Sequence, residues 1–237
     1  MKKLTLTFIY LCFFSIMVIF SGCGNNDLIT KSFETNTFSG ITNNISADVH
    51  ITCAATQSIE ISAQENIMDN IILEVSGGML TIELLNNFSP ITKPIDVYIS
   101  IPQFNAYCLN GSGDMEILNT FDSCGAVSLQ INGSGNIDAD FSSNSVTTTT
   151  VNGSGDIDLS GYSPIQSITI DGSGNINAFP FRTLNTVVNI LGSGNCEVTA
   201  DSTLNVTISG SGNVYYKGTP IINTNISGSG NIINSNK

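Results

Sequence analysis

Apolar and polar residues alternate on both sides of a glycine-rich motif that recurs through the second half of the chain. The motif Gly-Ser-Gly occurs seven times, beginning at Gly111, Gly133, Gly153, Gly172, Gly192, Gly210 and Gly228. Successive motifs lie 22, 20, 19, 20, 18 and 18 residues apart. A period near 20 residues is typical of solenoid proteins, in which one supersecondary unit is stacked repeatedly.

Two columns of apolar residues flank the motif. The position two residues before each first glycine is occupied by Leu109, Ile131, Val151, Ile170, Ile190, Ile208 and Ile226. The position four residues after it is occupied by Met115, Ile137, Ile157, Ile176, Cys196, Val214 and Ile232. The intervening positions are mostly polar, and this period of two predicts two short strands per coil, each with one buried face.

A single coil cannot bury its own apolar face, so the coils are expected to stack at the strand spacing of about 4.8 Å. The sequence therefore predicts an all-β domain over residues 33–237. Its fold is expected to be a single-stranded, right-handed parallel β-helix, a solenoid of Gly-Ser-Gly coils of about 20 residues. The corner glycines are expected to supply the positive φ angles of sharp turns.

The residue after each motif is always Asp or Asn. These residues are Asp114, Asn136, Asp156, Asn175, Asn195, Asn213 and Asn231. Stacked side-chain amides can hydrogen-bond from one coil to the next, so this column predicts a ladder along the solenoid.

The segment before the repeat, residues 33–105, is less regular but has the pattern of strands. Alternating or apolar stretches occur at 59–63, 72–75 and 80–84, and the turn at 76–79 separates the last two. A further strand at 95–101 ends at Pro102. The pattern predicts no helix after residue 22.

The N-terminus has the features of an export signal. Lys2 and Lys3 precede an apolar run at 4–20, which ends in Phe20-Ser21-Gly22-Cys23. We expect residues 1–22 to be a signal peptide that is removed. The boundary resembles a bacterial lipobox, which implies lipidation of Cys23 and a tether at 23–32. An uncleaved anchor helix is the alternative, since the run could just span a bilayer.

The charge balance limits the partners of the protein. The chain has 7 Lys and Arg, 19 Asp and Glu, and a net charge of −12. Removal of residues 1–22 takes away Lys2 and Lys3 and no acid, which leaves −14. A chain with this negative charge is not expected to bind nucleic acid, or to bind anionic lipid through a patch of basic residues. We therefore expect membrane contact through the lipid on Cys23, in an exported outer-membrane lipoprotein at the periplasmic or surface face.

Four cysteines follow the predicted lipid site. Cys196 lies in an apolar column and is expected to be a free buried thiol. It is four coils from Cys108, beyond the reach of a disulfide. Any disulfide should therefore involve Cys53, Cys108 or Cys124, and the sequence leaves the pairing open. Disulfides are allowed because an exported chain meets an oxidising compartment.

Acidic residues cluster just after the first motifs. Glu116, Asp138 and Asp158 follow their motifs at the same offset, and Asp114 and Asp156 lie two residues earlier in their coils. These five carboxylates are candidates for a weak cation site because Ca²⁺ prefers several oxygen ligands. The repeat lacks the nine-residue motif of calcium-binding β-rolls, so a solvated acidic face is the favoured interpretation.

The residue types needed for catalysis are scarce. His50 is the only histidine, and in a strand it would face away from Cys53, three residues on. The negative charge would repel uronate polymers. Two placed carboxylates could still act on a neutral glycan. We predict no enzyme activity and no cofactor, with a glycan-active β-helix enzyme as the less favoured alternative.

Several segments together resemble a known family. They are Phe38-Ser39-Gly40-Ile41, the turn at 77–82, the strand ending at Pro102, the Gly-Ser-Gly-Asn/Asp repeats and the segment 214–220. Over residues 33–237 the chain is similar to the auto-transporter adhesin head GIN domain, a domain of unknown function found in Bacteroidetes-type lipoproteins. The resemblance implies a binding or adhesion module that contacts a surface protein or glycan, and it transfers no site residues. A purely structural envelope protein is the alternative.

Overall fold

The computed structural model of the chain describes residues 27–85 and 91–236. These residues form nineteen strands and one short helix, α1 (Glu65–Met68). The strands are β1 (Leu28–Phe33), β2 (Gly40–Asn43), β3 (Ala47–Cys53), β4 (Ser58–Gln64), β5 (Ile71–Ser76), β6 (Met79–Leu84), β7 (Ile95–Ile101), β8 (Ala106–Leu109), β9 (Met115–Ile117), β10 (Phe121–Cys124), β11 (Val127–Ile131), β12 (Ile137–Ser143), β13 (Val146–Val151), β14 (Ile157–Ile170), β15 (Ile176–Ile190), β16 (Cys196–Ile208), β17 (Val214–Lys217), β18 (Ile221–Ile226) and β19 (Ile232–Asn234). The prediction of an all-β domain is confirmed.

Two parallel sheets run along the repeat. The first sheet contains β8, β11, β13, the later halves of β14, β15 and β16, and β18. The second sheet contains β9, β12, the earlier halves of β14, β15 and β16, and then β17 and β19. Equivalent residues of neighbouring coils are paired, as Ile131 is with Val151 and Ile137 with Ile157. The chain is therefore a parallel β-solenoid, as the repeat predicts.

The core lies between the sheets and is filled by the two apolar columns. Ile131 and Ile137, on opposite sides of one motif, are both fully buried. A stack of aromatic rings fills the third side, where the chain crosses between the sheets. Its members are Phe104, Phe121, Phe141 and Phe181, with ring centroids 5.7 Å apart for the first pair and 5.3 Å for the last.

The corner glycines are required for a reason other than the predicted one. Among the described residues, positive φ angles occur at Gly77, Gly78, Gly161 and Gly218, and no corner glycine is in this group. The corners stack so closely that a Cβ on Gly133 would overlap the carbonyl oxygen of Gly111. The backbone N–H of Ser134 donates to that same oxygen at 3.2 Å. The expectation of positive φ was wrong, because stacking of one corner on the next excludes a side chain.

The predicted ladder is present at the corners. The backbone N–H and the side-chain amide of Asn136 both donate to Oδ1 of Asp114, at 2.7 and 3.1 Å. The ladder extends one level beyond the repeat, because the N–H of Asp114 donates to Oδ1 of Asp48 at 2.9 Å. A second amide ladder, which the repeat alignment does not predict, joins Asn44, Asn110, Asn132 and Asn152.

The N-terminal part continues both sheets with a different topology. β3 pairs in parallel with β7 and β9, and β2 pairs in parallel with β6 and β8. Antiparallel strands then extend the sheets, since β4 joins β7, β1 joins β4, and β5 forms a hairpin with β6. The predicted turn in that hairpin is confirmed, with positive φ at Gly77 and Gly78. The prediction of a tether at 23–32 is wrong for residues 28–32, because they pair with β4 as part of β1. The prediction that no helix follows the signal is wrong, because α1 forms a single helical turn. This turn buries Ile67 and Met68.

One row of inward positions is polar instead of apolar. Thr147, Gln166 and Thr186 occupy registered positions in β13, β14 and β15, and all three side chains are fully buried. The adjacent Ile165 faces outward and is 45% exposed. Within the described structure, neither amide atom of Gln166 has a hydrogen-bond partner. This row reverses the usual placement of apolar and polar residues at that point of the solenoid.

Candidate functional site

The outward face of the second sheet carries one continuous row of polar and acidic side chains. Registered pairing places these residues side by side in the order Glu60, Tyr98, His50, Glu116, Asp138, Asp158, Asn177, Glu197 and Tyr215. We call this set the outward row. It crosses the boundary between the irregular N-terminal part and the repeat, so no single sequence motif contains it.

His50 lies inside this row between two carboxylates. Its ring stacks on Tyr98, with centroids 4.9 Å apart. Nε2 is 3.6 Å from Oδ1 of Asp96, and Nδ1 is 3.7 Å from Oε2 of Glu116. Cys53 lies elsewhere, in a groove described below, so His50 and Cys53 do not converge, as expected from their spacing. Alternation in residues 95–101 indicated the strand but could not place Asp96 and Tyr98 beside His50.

The acids at the centre of the row crowd one another. The pKa of Asp138 is raised above its ordinary value, first by partial burial and then by the nearby carboxylates of Asp158, Glu116 and Asp140. The raised pKa shows that the ionised form of Asp138 is disfavoured in the native state. A cationic group that approached this part of the row would relieve the repulsion.

The five candidate cation ligands fall into two separate sets. Glu116, Asp138 and Asp158 belong to the outward row, while Asp114 and Asp156 use their carboxylates in the corner ladder. Across residues 27–85 and 91–236, no group of three or more His, Cys, Asp or Glu residues is arranged to hold a metal ion. The interpretation of these residues as a solvated acidic face, with at most weak affinity for a cation, stays a prediction.

A groove of about 610 Å³ opens where the third side of the solenoid begins. It lies between the short connection 102–105 and the longer connection of the next coil, which contains β10. Its lining includes Cys53, Phe104, Thr120, Asp122 and Cys124. The repeat gave no signal for this groove, because connection 102–105 lies outside the Gly-Ser-Gly coils.

The remaining cysteines lie apart from this groove. Cys196 is fully buried and is a free thiol, and burial raises its pKa. The prediction of a free buried thiol is therefore confirmed. Cys108 is half-buried, and its Sγ lies 3.6 Å from Oδ1 of Asn110 and 3.7 Å from Nδ2 of Asn132. Burial also raises the pKa of Cys108.

The predicted lipid site, Cys23, and the predicted signal at 1–22 lie outside the described residues. In the described ranges, no helix has the length and apolar character needed to cross a membrane.

Comparisons with known proteins give a family model and a set of solved structures. The model described as "Putative auto-transporter adhesin, head GIN domain" matches residues 37–220. A "putative adhesin" from Bacteroides fragilis is 23% identical, with a TM-score of 0.79 over 88% of this chain and 97% of that one. No curated protein matches the chain.

Two further solved structures share the fold over almost their whole length. A "putative lipid binding protein" from Parabacteroides distasonis is 24% identical, with a TM-score of 0.73 over 90% of this chain and 98% of that one. A "putative adhesin" from Parabacteroides merdae is 20% identical, with a TM-score of 0.64 over 90% and 98% of the two chains. At these identities the similarity is one of fold.

Proposed function

Because this chain belongs to the auto-transporter adhesin head GIN domain family, we propose that it is a binding module of the bacterial cell envelope and catalyses no reaction. The resemblance found in the sequence is confirmed by the family match over residues 37–220. Two of the solved structures with this fold are named as adhesins and one as a lipid-binding protein, which agrees with a binding function.

The observation that carries the proposal is the outward row. Pairing of neighbouring strands holds its side chains at regular intervals along the second sheet, and the corner ladder links successive coils. A rigid row of this kind supports many weak contacts at once, and their combined affinity exceeds that of any single contact.

The chemistry of the row favours a cationic or hydrogen-bonding partner. Its centre holds Glu116, Asp138 and Asp158, and the pKa of Asp138 is raised first by partial burial and then by its acidic neighbours. Tyr98 and His50 next to them add a stacked pair of rings. Such a surface suits polar, water-containing contacts with a protein or glycan on another surface. Binding that rests on these charges should weaken as salt is added.

The lipid on Cys23 is the proposed attachment of the module to the membrane. The sequence Phe20-Ser21-Gly22-Cys23 after an apolar run supports export and lipidation. With a net charge of −14 after removal of the signal, the solenoid itself would be repelled by anionic lipid. The lipid chain would therefore hold the protein at the membrane while the outward row stays free for a partner.

The proposal is tested with bacterial cells that produce the full chain. Cells are applied to arrays of glycans and matrix proteins, and retention is compared with cells that produce the triple variant Glu116→Gln, Asp138→Asn and Asp158→Asn. The matched control removes three exposed acids outside the row, in the variant Glu74→Gln, Asp122→Asn and Asp171→Asn. Retention should fall with the first variant and persist with the second.

Two outcomes would overturn the proposal. One is equal retention of cells with and without the protein on every surface. The other is turnover of a glycan by the purified chain that is lost on Asp138→Asn, because that result would identify a glycan-active enzyme.

A further inference from the structure

The groove exists because two consecutive coils cross between the sheets by different routes. β7 is joined to β8 by residues 102–105 alone, whereas β9 is joined to β11 by a longer path that includes β10. Among the described strand pairings, β10 pairs with β12 on one side and with no strand on its other side. Both connections line the groove of about 610 Å³.

Cys53 enters this groove from the end of β3. Its backbone is clamped by Asn119 of the longer connection, whose Oδ1 accepts from the N–H of Cys53 at 2.6 Å. The Nδ2 of Asn119 donates to the carbonyl oxygen of Cys53 at 3.1 Å. Cys53 and Cys124 are both free thiols in this structure. The side chain of Cys53 is only half-buried, so small molecules in solution can reach it.

Cys124 enters the same groove from the end of β10 and is almost fully buried. The pKa of its thiol is raised to about 11, first by burial and then by the nearby Cys53, while a backbone hydrogen bond with Phe104 acts in the opposite direction. Both cysteines line this one groove, so the two thiols face a common space.

Small residues follow each of the two cysteines in the sequence. Ala54 and Ala55 follow Cys53, and Gly125 and Ala126 follow Cys124. A side chain added at Gly125 would meet no atom within 4 Å. A disulfide needs its two Cα atoms at about 4.4 to 6.8 Å, so the bridge requires the two backbones at the groove to reach this separation.

We propose that Cys53 and Cys124 form a disulfide that closes this groove when the protein meets an oxidising compartment. The inference rests on the proposed export of the chain. The reaction consumes two thiols and one disulfide oxidant, such as oxidised glutathione. It yields one protein disulfide and two molecules of reduced glutathione.

The bridge forms in two thiol–disulfide exchange steps, and Cys53 reacts first because its side chain is the more exposed of the two. The Cys53 thiol loses its proton and attacks the oxidant, which gives a mixed disulfide and releases one glutathione thiolate that takes up a proton. The Cys124 thiol then loses its proton and attacks the sulfur of Cys53, which forms the protein disulfide and releases the second glutathione. The second step should be the slower one, because the raised pKa of Cys124 keeps little of it as thiolate at neutral pH.

The structure separates this pair from the other two described cysteines. Cys196 lies wholly inside the core between the sheets. Cys108 faces outward on the first sheet, beside Asn110 and Asn132 of the second amide ladder. Neither residue lines the groove.

The full chain, purified in detergent under reducing conditions, is incubated with oxidised glutathione, alkylated and digested without reductant. Mass spectrometry should find a peptide pair that links Cys53 to Cys124, while Cys108 and Cys196 are alkylated. The Cys108→Ser variant should form the same bridge, and Cys53→Ser should leave Cys124 as a thiol or a mixed disulfide with glutathione. The oxidised native chain should also melt several degrees higher than the reduced chain, because the bridge closes a long loop.

Complete alkylation of Cys53 and Cys124 in the folded, oxidant-treated chain would overturn the proposal, as would a bridge from either of them to Cys108 or Cys196. These results are independent of the adhesion test, because a chain without the bridge could still bind through the outward row. Loss of binding with an intact bridge would in turn leave the disulfide assignment unchanged.

Discussion

Asp156 accepts two hydrogen bonds from Asn175 on the next coil, through a single carboxylate oxygen. The backbone N–H and the side-chain amide of Asn175 donate to Oδ1 of Asp156 at 2.6 and 3.0 Å. Asn175 in turn accepts from Asn195 with its own side-chain oxygen, at 2.9 and 3.3 Å. Each side chain of the ladder therefore satisfies the backbone of the following coil, which links local sequence to the stacking of the whole solenoid.

The first prediction concerns this ladder. Asp156→Ala removes the acceptor for two donors of Asn175 and should lower the free energy of unfolding by about 1 to 3 kcal/mol. Asp156→Asn is the matched control, because its amide keeps an acceptor oxygen, and it should stay close to the native value. Urea denaturation measures both. A loss as large for Asp156→Asn as for Asp156→Ala would show that the negative charge, and not the acceptor, matters.

The second prediction concerns the corners. Gly172→Ala places a methyl group against the carbonyl oxygen of Gly153 and should destabilise the fold by about 3 kcal/mol. Gly125→Ala is the control, since its added methyl group meets open space and Gly125 has no positive φ. Thermal melting of both variants compares them directly. Equal melting temperatures would mean that the corners can move apart at little cost.

The third prediction concerns the buried amide of Gln166. Replacement by Met keeps the shape and removes polar atoms that have no partner in the described structure, so Gln166→Met should stabilise the protein by about 1 to 3 kcal/mol. Gln64→Met should have the opposite effect, because Oε1 of buried Gln64 accepts from the N–H groups of Thr92 and Lys93 at 2.8 and 3.0 Å. Chemical denaturation checks both. Destabilisation by Gln166→Met would indicate that buried water satisfies the amide.

The fourth prediction concerns pH and Asp138. Folding raises the pKa of this carboxyl above 3.8, so the native state binds its proton more readily than the unfolded chain does. Its contribution to stability is therefore least favourable above the folded-state pKa, and the penalty disappears as pH falls below the unfolded value. Asp138→Asn should raise the melting temperature at about pH 7 and change it little at about pH 3.

Salt provides the control for that prediction. The gain from Asp138→Asn at neutral pH should shrink as ionic strength rises, because part of the penalty comes from Asp158 and Glu116. Asp122→Asn removes one exposed acid outside the row and should give a smaller gain. If Asp122→Asn stabilised the chain as much as Asp138→Asn, net charge alone would account for the effect.

The fifth prediction concerns the N-terminus. Palmitate labelling of the full chain in a bacterial host should depend on Cys23, because a lipobox cysteine carries the lipid. The variant Cys23→Ala should lose the label and should be recovered with an uncleaved or differently processed N-terminus. Equal labelling of both chains would contradict lipidation at this residue.

The repeat made much of the fold predictable. Ile131 and Ile137 were assigned to the core from their distance to one glycine corner, and they are fully buried. The same counting places Gln166 inward, six residues before Gly172, although the neighbouring Ile165 is the more apolar residue. Register therefore outweighs local hydrophobicity in this solenoid, because paired coils fix which side chains point inward.

Other features depend on contacts between residues far apart in the chain. His50 meets Glu116 because β3 pairs with β9, and no spacing in the sequence encodes that pairing. The groove at Cys53 and Cys124 arises between a short connection and a long one. Local patterns could identify β4 to β7, but not β2 or β3, and the order in which these strands join the sheets is a property of the folded chain.

The stacking of one corner on the next makes each coil an interchangeable unit. Irregularities of register within the longest strands fall between Asp158 and Gly161 and between Ala178 and Asn185, on the crossing between the sheets, while the corners repeat the same contact. Changes in coil length are thus tolerated on one side of the solenoid only. Duplication of a whole coil, such as residues 172–191, would lengthen the protein by one strand spacing, about 4.8 Å, and would leave both ends unaltered. Gain and loss of such units gives an evolving lineage a simple way to set how far the protein reaches.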